Sequence, residues 1–401
     1  MKTGGGGIRR IVFVNRYYRP DETATGQLLT ELAEALAARG RPVTVLASRP
    51  AGTPSREVAG GVRIVRIASR RSRSSSVPAK ALDWSLFLGR AVFRLALELR
   101  PGDTVVAMTD PPLLGVGAAL VAAIRRARLA HWVQDIYPEI AVAVTGRSLW
   151  RVFAPPRNWA WRRADPCVVP GAAMAEAAAA GGARPECIRI RPNWALAGLA
   201  SADPGAVARL RQEWGLAGRF VASYSGNLGR AHELDAILDL AAAVRGDPSF
   251  GFAIVGGGPL RANLERKAAA RGLDAVRFLP AQPLARLATA LAAADLHLIT
   301  LRAGCERFVF PSKLYGAAAA GRPVLFLGPP DSEPARLIET SGFGQAFAAG
   351  DTASAAAALR ELASRPELRS VRADAARRFA LLNGGAPAAA AEWDAWLAAP
   401  L

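Results

Sequence analysis

Short apolar runs alternate with helical patterns along almost the whole chain. IRRIVFV at residues 8–14 is typical of a strand, and the stretch LLTELAEALAARG is typical of a helix that ends at Gly40. PVTVLAS, VRIVRIA, DTVVAMT and HWVQDI continue the series of strands before the pattern loosens at residues 195–218. Because a strand, a helix and a second strand form a parallel βαβ unit, this half predicts a parallel sheet with helices on both faces.

A second alternation of the same kind begins after the loosened segment. FVASYSG, FGFAIVG, VRFLP, DLHLITL and PVLFLG are typical of buried strands, and helical stretches separate them. The 401 residues are enough for two domains that each bury a core. We therefore predict an α/β protein with two doubly wound Rossmann-like domains, at residues 1–200 and 201–380. A C-terminal helix at 381–401 is expected to cross back to the first domain.

The chain carries a formal net charge of +18, and only four of its 51 basic residues are lysines. Such a surplus attracts polyanions or anionic lipid, although a general arginine-rich composition explains the total equally well. Residues 66–100 and 147–163 mix apolar or aromatic side chains with arginines, as helices in a membrane interface do. The alternative is an ordinary amphipathic helix with a solvated arginine face. Nucleic acid is not expected, because no known binding module is present.

Three cysteines, Cys167, Cys187 and Cys305, show no CxxC or CxH spacing, so neither a zinc site nor a disulfide framework is predicted. The N-terminus lacks the long apolar segment and the cleavage site of a signal peptide. No apolar run reaches the roughly 18 residues that span a bilayer. These observations predict a cytoplasmic protein, soluble or lying on a membrane, with no metal or other cofactor.

Polar or glycine-rich loops follow five predicted strands, at the carboxyl ends where open parallel sheets bind ligands. The loops contain DETATGQ, QDIYPE, SGNLGRAHELD, IVGGGPL and PSK. Neither glycine loop has the GxGxxG spacing of a dinucleotide site, and no Walker lysine is present. Arg230 and Lys313 nevertheless predict a diphosphate clamp. The guanidinium of an arginine can donate to two phosphate oxygens at once, and the ammonium of a lysine provides a compact positive charge.

The segment FPSK at residues 310–313 places a charge in an unusual position. Ser312 is a good N-cap for the alanine-rich helix that follows, so Lys313 falls in the first turn. A cation there faces the positive end of the helix dipole, which is unfavourable unless an anion lies in front of it. A bound diphosphate would supply that anion.

The motifs together resemble those of a known family. NRYYRPDETATG, HWVQDIYPE, RIRPNW, SGNLGRAHELD, IVGGGP and PSKLYGAAAAGRPVLFLG resemble family 4 glycosyltransferases of the GT-B fold, in order and over nearly the whole chain. The likeness is to enzymes of the exopolysaccharide and colanic-acid type. It implies two Rossmann-like domains facing a cleft, with the acceptor bound by the first, membrane-facing domain and the nucleotide sugar by the second. It also implies retaining transfer of a hexosyl or N-acetylhexosaminyl group from a nucleotide-diphosphate sugar, commonly a UDP-sugar, to a lipid-linked or saccharide acceptor.

The resemblance also implies roles for individual residues. Arg230 and Lys313 would hold the donor diphosphate, Gly26 would approach it from the first domain, and the backbone near Leu279 and Pro280 would meet the base. The predicted catalytic residues are Arg230, Lys313, Asp135 and Glu306. The other predicted site residues are Thr25, Gly26, Asn227, Gly257, Gly258, Leu279, Pro280, Ser312, Tyr315, Asp331 and Glu333 for the donor, and His131, Tyr137 and Glu139 on the acceptor side.

One position departs from the family pattern. Many members have Glu where this chain has Gly316, as the second acid of an E-x7-E pair, and the position of the first acid holds Phe308. Glu306 is expected to contact the sugar instead, and Glu333 or Asp331 the ribose. If the transfer is retaining and front-face, the leaving diphosphate takes the proton of the acceptor. No general base is then required, and positive charge around the diphosphate does the main work.

Two other functions share parts of this pattern. A nucleotide-sugar 2-epimerase has the same two-domain architecture, but it needs paired acids or bases near C2 of the sugar. Carboxylates are scarce in the loops of the second half. A non-catalytic, membrane-associated scaffold is the third hypothesis, because Gly316 replaces the expected Glu. The leading hypothesis is a glycosyltransferase on the inner face of the cytoplasmic membrane that builds a surface polysaccharide.

Overall fold

The computed structural model describes residues 9–69 and 77–398, which form two compact units. The described residues up to Pro192 and those from Ala386 onward belong to the first unit, and Asn193–Gly385 form the second. The basic segment at residues 70–76 is part of one stretch with predicted membrane character, and it lies outside the described residues.

The first unit is built on an eight-stranded sheet. Its strands are β1 (Ile11–Val14), β2 (Val43–Ser48), β3 (Arg56–Ala59), β4 (Val62–Ile67), β5 (Thr104–Ala107), β6 (Arg128–Trp132), β7 (Cys167–Val169) and β8 (Ile188–Ile190). They lie in the order β3-β4-β2-β1-β5-β6-β7-β8, and all pairs are parallel except β3 with β4 at one edge. In the centre, Ile11 of β1 lies opposite both Val43 and Thr104, and every residue of β1 is buried.

Helices connect the strands of this sheet. They are α1 (Ala24–Ala38), α2 (Val77–Glu98), α3 (Leu114–Arg125), α4 (Glu139–Thr145), α5 (Ala154–Trp161) and α6 (Ala172–Ala180), with 3-10 helices at Ser148–Phe153 and Pro185–Cys187. In α1, Leu28, Leu32 and Leu36 recur at four-residue spacing and form a buried stripe over β2 and β4. Within the described parts of the chain, every helix is too short or too polar to cross a membrane.

The second unit contains a six-stranded sheet in which all pairs are parallel. Its strands are β9 (Phe220–Ser225), β10 (Phe250–Val255), β11 (Val276–Leu279), β12 (Leu296–Thr300), β13 (Val324–Leu327) and β14 (Gly344–Phe347), in the order β11-β10-β9-β12-β13-β14. The helices are α7 (Pro204–Glu213), α8 (Asp235–Ala243), α9 (Arg261–Ala270), α10 (Leu284–Ala292), α11 (Lys313–Ala319), α12 (Glu333–Thr340), α13 (Thr352–Ser364) and α14 (Pro366–Leu382). Because all strands run the same way, their carboxyl ends meet at one edge of the sheet.

The last helix, α15 (Gly385–Ala398), packs in the first unit. Trp393 is fully buried there, with its ring centroid 6.4 Å from that of Phe13 and 5.5 Å from that of Trp132. The guanidinium of Arg128 donates to the carbonyls of Trp396 and Leu397, at 3.3 and 3.1 Å. Arg128 therefore satisfies carbonyls at the C-terminus of α15, where a helix leaves them without intrahelical partners.

The predicted α/β class with two doubly wound Rossmann-like units is confirmed, and the strand bounds differ in places. β6 begins at Arg128, three residues before the HWVQDI run, and ends at Trp132, so Asp135 lies in the loop that follows. A buried arginine can begin this strand because its Nε donates to the Asp165 carbonyl at 2.8 Å. The sequence pattern does not predict β3, β7, β8 or β14. β3, β8 and β14 are mostly half-buried or exposed, and β7 has only three residues, so none of them forms a clear apolar run.

Candidate active site

Two glycine-containing loops interlock at the carboxyl edge of the second sheet. Gly226 follows β9 and Gly256 follows β10, with φ angles of 145° and 141° that favour glycine. A Cβ on Gly256 would lie 2.1 Å from the carbonyl oxygen of Gly226, so a side chain there would collide with backbone. The amide of Leu228 also donates to the carbonyl of Gly257 at 2.8 Å. The glycines therefore allow direct backbone contact between the loops.

The loop after β10 contains one further crowded glycine, Gly258, and one glycine with open space around it, Gly257. A Cβ on Gly258, whose φ is 148°, would lie 2.6 Å from the Leu228 carbonyl oxygen and 2.7 Å from Oδ1 of Asn227. Gly257 differs, because no described atom lies within 4 Å of the place that its Cβ would take. The loop therefore presents uncovered backbone to open space at Gly257, where a ligand can approach closely.

Lys313, the first residue of α11, reaches the first glycine loop. Its Cε lies 2.8 Å from the position that a Cβ on Gly226 would take. Its Nζ lies 3.1 Å from Nε2 of His232 and 4.8 Å from the centroid of the Tyr224 ring. No carboxylate among the described residues forms an ion pair with this ammonium. The predicted clamp lysine thus has an imidazole and an aromatic face as neighbours, and its charge is not neutralised.

Burial lowers the pKa of Lys313 to about 7, from an ordinary value of 10.5. Removing water from around an ammonium disfavours its charged form, and no opposite charge compensates here. An anion beside Nζ would favour the charged form again and raise the pKa. Both the helix dipole and the desolvation therefore favour an anionic ligand at this lysine.

Arg230 lies in the loop after β9, the strand between β10 and β12. Its side chain is exposed, and no described residue accepts a hydrogen bond from its guanidinium. The exposed Asn227 occupies the same loop, and the amide of Arg302 donates to the carbonyl of Ala231 at 2.9 Å, which ties this loop to the one after β12. Arg230 and Asn227 are thus placed to meet a ligand at the carboxyl edge of the sheet.

Glu306 belongs to the loop between β12 and α11. Its Oε2 is buried and has no hydrogen-bond partner among the described residues. A buried carboxylate oxygen without a donor is costly, so its presence at a strand end favours a ligand that supplies the donor. A sugar hydroxyl would do so.

Leu279 and Pro280 end β11 at the same edge of the sheet. The Leu279 carbonyl accepts from the Gly256 amide at 3.0 Å and from Nη1 of Arg261 at 2.8 Å. Arg261 also donates to the carbonyl of Gly256 at 2.7 Å. It therefore connects the glycine loop after β10 to the end of β11. Arg261 could not be predicted from the sequence, because an arginine at the start of a helix carries no distinctive signal. Pro280 is exposed and its carbonyl accepts from Nε2 of Gln282.

Two predicted donor residues differ from expectation. Ser312 occupies the N-cap of α11, but its backbone is already helical, with φ −60° and ψ −22°, and its side chain makes no capping bond. Tyr315 is buried and stacks between Phe310 and Phe379, with ring centroids 6.1 and 6.0 Å away. The Tyr315 side chain is predicted to bind the donor, but it lies in the core, because large aromatic rings gain most from burial.

Asp331 and Glu333 lie at the carboxyl end of β13, the neighbour of β12. Asp331 is exposed, and its backbone carbonyl accepts from Arg336. Glu333 is the first residue of α12 and is half-buried. Both lie at the predicted ligand-binding edge of the sheet.

In the first unit, Thr25 and Gly26 lie in the first turn of α1. The amide of Gly26 already donates to Oγ1 of Thr23, the N-cap residue, at 3.3 Å. A Cβ on Gly26 would lie 2.8 Å from the same oxygen and 3.3 Å from Cβ of Tyr17. Gly26 is therefore needed for the turn itself, and its amide is not open to a phosphate without loss of the cap.

Two carboxyl groups lie close together at the ends of β5 and β6. Burial raises the pKa of Asp110 to about 6, and Arg16 partly opposes this shift. Burial also raises the pKa of Asp135 to about 6, with a further contribution from the charge of Asp110. The hydroxyl of Thr109 accepts from the amides of Gln134 and Asp135, both at 3.3 Å, which joins the two loops. Sequence reasoning identifies Asp135 but misses Asp110, because their proximity depends on the order of strands.

A small cavity of about 30 Å³, enough for one or two water molecules, lies beside Asp135. His131, Tyr137 and Arg157 also line it. Burial, and then the charge of Arg157, lower the pKa of His131 to about 4, so its ring is neutral. Nδ1 of His131 and Nη1 of Arg157 are buried and have no partner in the described parts of the chain. These atoms can form hydrogen bonds with a polar ligand or with ordered water.

Arg157, which lines this cavity, contacts both an acidic and an aromatic side chain. It pairs with Glu139 and lies over the Trp161 ring, 3.8 Å from its centroid. Arg157 and Trp161 are 6% and 2% exposed. Both belong to the stretch 147–163, whose aromatic and basic residues predict membrane contact, and the structure shows that these two face inward instead. An arginine within an aromatic-rich segment has no sequence signal that separates a buried role from an interfacial one.

Family models account for most of the chain. A glycosyl transferase 4-like domain matches residues 23–194, and a glycosyl transferases group 1 domain matches residues 207–379. The chain belongs to the family 4 glycosyltransferases of the GT-B fold. The second of these matches contains both cations of the predicted clamp and the two interlocked glycine loops.

Two relatives are similar to this glycosyltransferase over most of its length. It is 26% identical over 344 residues to WcaI of Escherichia coli K12, named as a colanic acid biosynthesis glycosyl transferase, covering 80% of this chain and 84% of WcaI. It is 25% identical over 347 residues to the glycosyltransferase WbjE of Pseudomonas aeruginosa, covering 84% of this chain and 85% of WbjE.

Solved structures share the fold at low sequence identity. HepE of Anabaena, in complex with UDP-glucose, has a TM-score of 0.74 at 17% identity, covering 96% of this chain and 98% of HepE. WaaG, a glycosyltransferase of lipopolysaccharide biosynthesis, has a TM-score of 0.70 at 18% identity, covering 97% of this chain and 100% of WaaG. At this identity the comparison establishes the GT-B fold alone.

Gly316 marks the departure of this glycosyltransferase from the family pattern. A Cβ at this position would lie 3.4 Å from Leu291 and 3.8 Å from Leu199, at ordinary contact distance from apolar side chains. A methyl group therefore fits there, in contact with these two leucines. The described atoms nearest to this position are therefore apolar.

Proposed function

We propose that this glycosyltransferase moves a sugar from a UDP-sugar, with retention of configuration, to a lipid-linked or saccharide acceptor in surface polysaccharide biosynthesis. The observation that carries the proposal is Lys313, a desolvated lysine with no carboxylate partner among the described residues, beside glycine loops with uncovered backbone. Such a site suits the diphosphate of a nucleotide sugar. The name of WcaI and the UDP-glucose bound to HepE support the pathway and the nucleotide.

The proposed chemistry relies on positive charge near the leaving group. As the bond from the sugar to the diphosphate breaks, negative charge develops on the diphosphate, and Lys313 and Arg230 stabilise it. The same diphosphate takes the proton of the attacking hydroxyl on the front face, so no enzyme base is needed. Glu306 accepts a hydrogen bond from a sugar hydroxyl through its buried Oε2. No metal ion is part of this proposal.

The first unit supplies the acceptor side. Asp135 and Asp110 share a buried environment, and each has a pKa near 6. Above that pH at least one of them is ionised and can orient an acceptor hydroxyl. His131, Tyr137 and Glu139 lie around the adjoining cavity or bind its arginine, which agrees with a polar acceptor group at the ends of β5 and β6.

Donor binding is the direct test. A ligand that binds only the folded state stabilises it by about 2.7 kcal/mol at a concentration of 100 times Kd, so UDP-sugars are expected to raise Tm. Thermal shift against UDP-, GDP- and dTDP-sugars measures the effect, with the corresponding free sugars as controls. A panel in which no nucleotide sugar raises Tm contradicts the proposed donor class.

The exposed face of α2 supports the membrane part of the proposal. Leu82, Leu86, Phe93 and Leu97 are 36–66% exposed and recur on one side of the helix, opposite the buried Ala91 and Leu95. Arg90 is exposed, whereas the acidic Asp83 and Glu98 of this helix are buried or paired. An apolar stripe beside an exposed arginine suits the interface of an anionic membrane.

The 3-10 helix Ser148–Phe153 has the same character. Leu149, Val152 and Phe153 are 80%, 62% and 40% exposed, and Arg147 and Arg151 are exposed beside them. This helix contacts α5, which contacts α3, and α3 contacts α2. We therefore propose that these helices hold the enzyme peripherally on the inner face of the cytoplasmic membrane.

Glutamate substitutions on α2 test the membrane proposal. The double variant Leu82→Glu, Leu86→Glu is expected to bind vesicles containing anionic lipid at least tenfold more weakly, since each buried leucine contributes about 1.5–3 kcal/mol. The matched control is Leu381→Glu, Leu382→Glu, which changes two leucines of 78% and 87% exposure on α14. Vesicle co-sedimentation compares both variants with the wild type. Equal binding by the α2 variant and the wild type contradicts the assigned surface.

A further inference from the structure

His232 uses its two ring nitrogens for different partners. Nδ1 lies 2.8 Å from the carbonyl oxygen of Thr300, and since a carbonyl only accepts, Nδ1 carries the hydrogen. In the neutral ring Nε2 then has a lone pair, which lies 3.1 Å from Nζ of Lys313. The contacts therefore select one tautomer and direct its lone pair at the lysine.

The charge state of the ring agrees with this geometry. Burial, and then the charge of Lys313, lower the pKa of His232 to about 3. The ring is therefore neutral at neutral pH. A protonated ring would lose the lone pair and place a second cation 3.1 Å from the first.

The titratable neighbours of Lys313 orient it without neutralising it. His232 faces the ammonium from the loop after β9, and Tyr224 faces it from β9 itself. Burial raises the pKa of Tyr224 well above its ordinary range, so the phenol stays uncharged. Burial alone accounts for the lowered pKa of Lys313. The amine is thus held in place by uncharged neighbours, and no anion among the described residues stabilises its charged form.

We propose that His232 is a positioning residue for Lys313, and that binding of the donor diphosphate is coupled to uptake of one proton by that lysine. The inference rests on the proposed function, because it takes the donor diphosphate as the anion. The proton comes from solvent and forms one new N–H bond on the neutral amine. One N–H of the resulting ammonium donates to Nε2 of His232, and the others are left for diphosphate oxygens.

Calorimetry with UDP-glucose, in two buffers of different ionisation enthalpy, measures the proton. UDP-glucose suits the test because its diphosphate is a diester, without the terminal phosphate that titrates near pH 6. At about pH 8 we expect uptake approaching one proton, and near pH 6, where Lys313 is already charged, almost none. Lys313→Arg is the control, because arginine stays charged and takes up no proton at either pH. Binding without proton uptake at pH 8 overturns the coupling alone.

Two amide variants test the positioning role. In His232→Gln the side-chain oxygen can reach the place of Nε2, whereas in His232→Asn the amide reaches only the place of Nδ1. If His232 acts through Lys313, His232→Asn raises the donor KM about tenfold or more, and His232→Gln restores it to within a few-fold of the wild type. If the ring served only to bond Thr300, the asparagine variant would be the better enzyme. That order of activities overturns the positioning role.

Nitrogen-15 NMR of the free protein tests His232 without any donor. We expect the Nδ1–H tautomer and no titration of the ring between about pH 5 and 9. An Nε2–H tautomer, or titration near the ordinary 6.5, overturns the positioning role. Failure of UDP-glucose to bind the wild type overturns the coupling with this donor, the thermal-shift panel decides the donor class, and the NMR result still decides the role of His232.

Discussion

Replacement of Lys313 by methionine is expected to lower kcat/KM by roughly 10²–10³-fold, the usual cost of removing one group that stabilises developing negative charge. Methionine retains the length of the side chain and its contacts near Gly226 and Tyr224. The loss falls on kcat as well as on the donor KM, because the diphosphate gains charge as it leaves. Steady-state transfer from a UDP-sugar measures both constants.

Lys267→Met is the matched control for this variant. Lys267 also lies in the second unit, and its Nζ pairs with Asp235 at 2.7 and 2.8 Å. A solvent-accessible pair of this kind contributes about 0–1 kcal/mol to stability, so the rate is expected to stay near that of the wild type. Wild-type turnover in Lys313→Met would contradict the diphosphate clamp.

Lys313→Met is also expected to change how the free energy of unfolding depends on pH. The folded-state pKa of Lys313 is about 7 and its ordinary value is 10.5, so the unfolded chain binds more protons between these pH values. The free energy of unfolding of the wild type therefore rises with pH in this window, relative to that of Lys313→Met. Urea unfolding of both proteins at about pH 7 and pH 9.5 measures the difference, and a constant difference contradicts the lowered pKa.

Replacement of Gly256 by alanine is expected to lower the free energy of unfolding by about 3 kcal/mol. Its φ of 141° disfavours alanine, and the new methyl carbon would lie 2.1 Å from the Gly226 carbonyl oxygen. Since that oxygen belongs to backbone at the end of β9, the strain cannot be relieved by a side-chain movement. Chemical denaturation measures the loss.

The neighbouring Gly257→Ala variant separates folding from binding. Because no described atom lies within 4 Å of its Cβ position, we expect unfolding as in the wild type. The methyl group nevertheless enters the space next to the uncovered backbone, so donor affinity is expected to fall. Equal destabilisation by the two substitutions would contradict the interlocked arrangement of the loops.

The local periods of the sequence predict the fold well. Alternating strand and helix patterns, with glycine stops, identify both parallel sheets, because side-chain periodicity depends only on neighbouring residues. The rule that ligands bind at strand carboxyl ends then locates the loops of Arg230 and Lys313. Sequence patterns are less informative for short edge strands such as β3, where a few residues show no period.

The environment of each site residue was decided by tertiary structure. Lys313 and His232 are 81 residues apart, and they meet because β9 and β12 are neighbours in the sheet. Asp110 approaches Asp135 for the same reason, through the pairing of β5 with β6. Tyr315, adjacent in the chain to residues of the predicted site, turns into an aromatic stack instead.

The sequence by itself determined the two α/β units, the family, and the edge of the sheet at which chemistry is expected. It also determined that Lys313 begins a helix and needs an anion, because capping and dipole effects act within one turn. Only the tertiary structure decided that the lysine is desolvated, that a neutral imidazole holds it, and that Gly226 and Gly256 touch. Desolvation and contact depend on which strands pair, and strand pairing is a non-local property that no short sequence pattern contains.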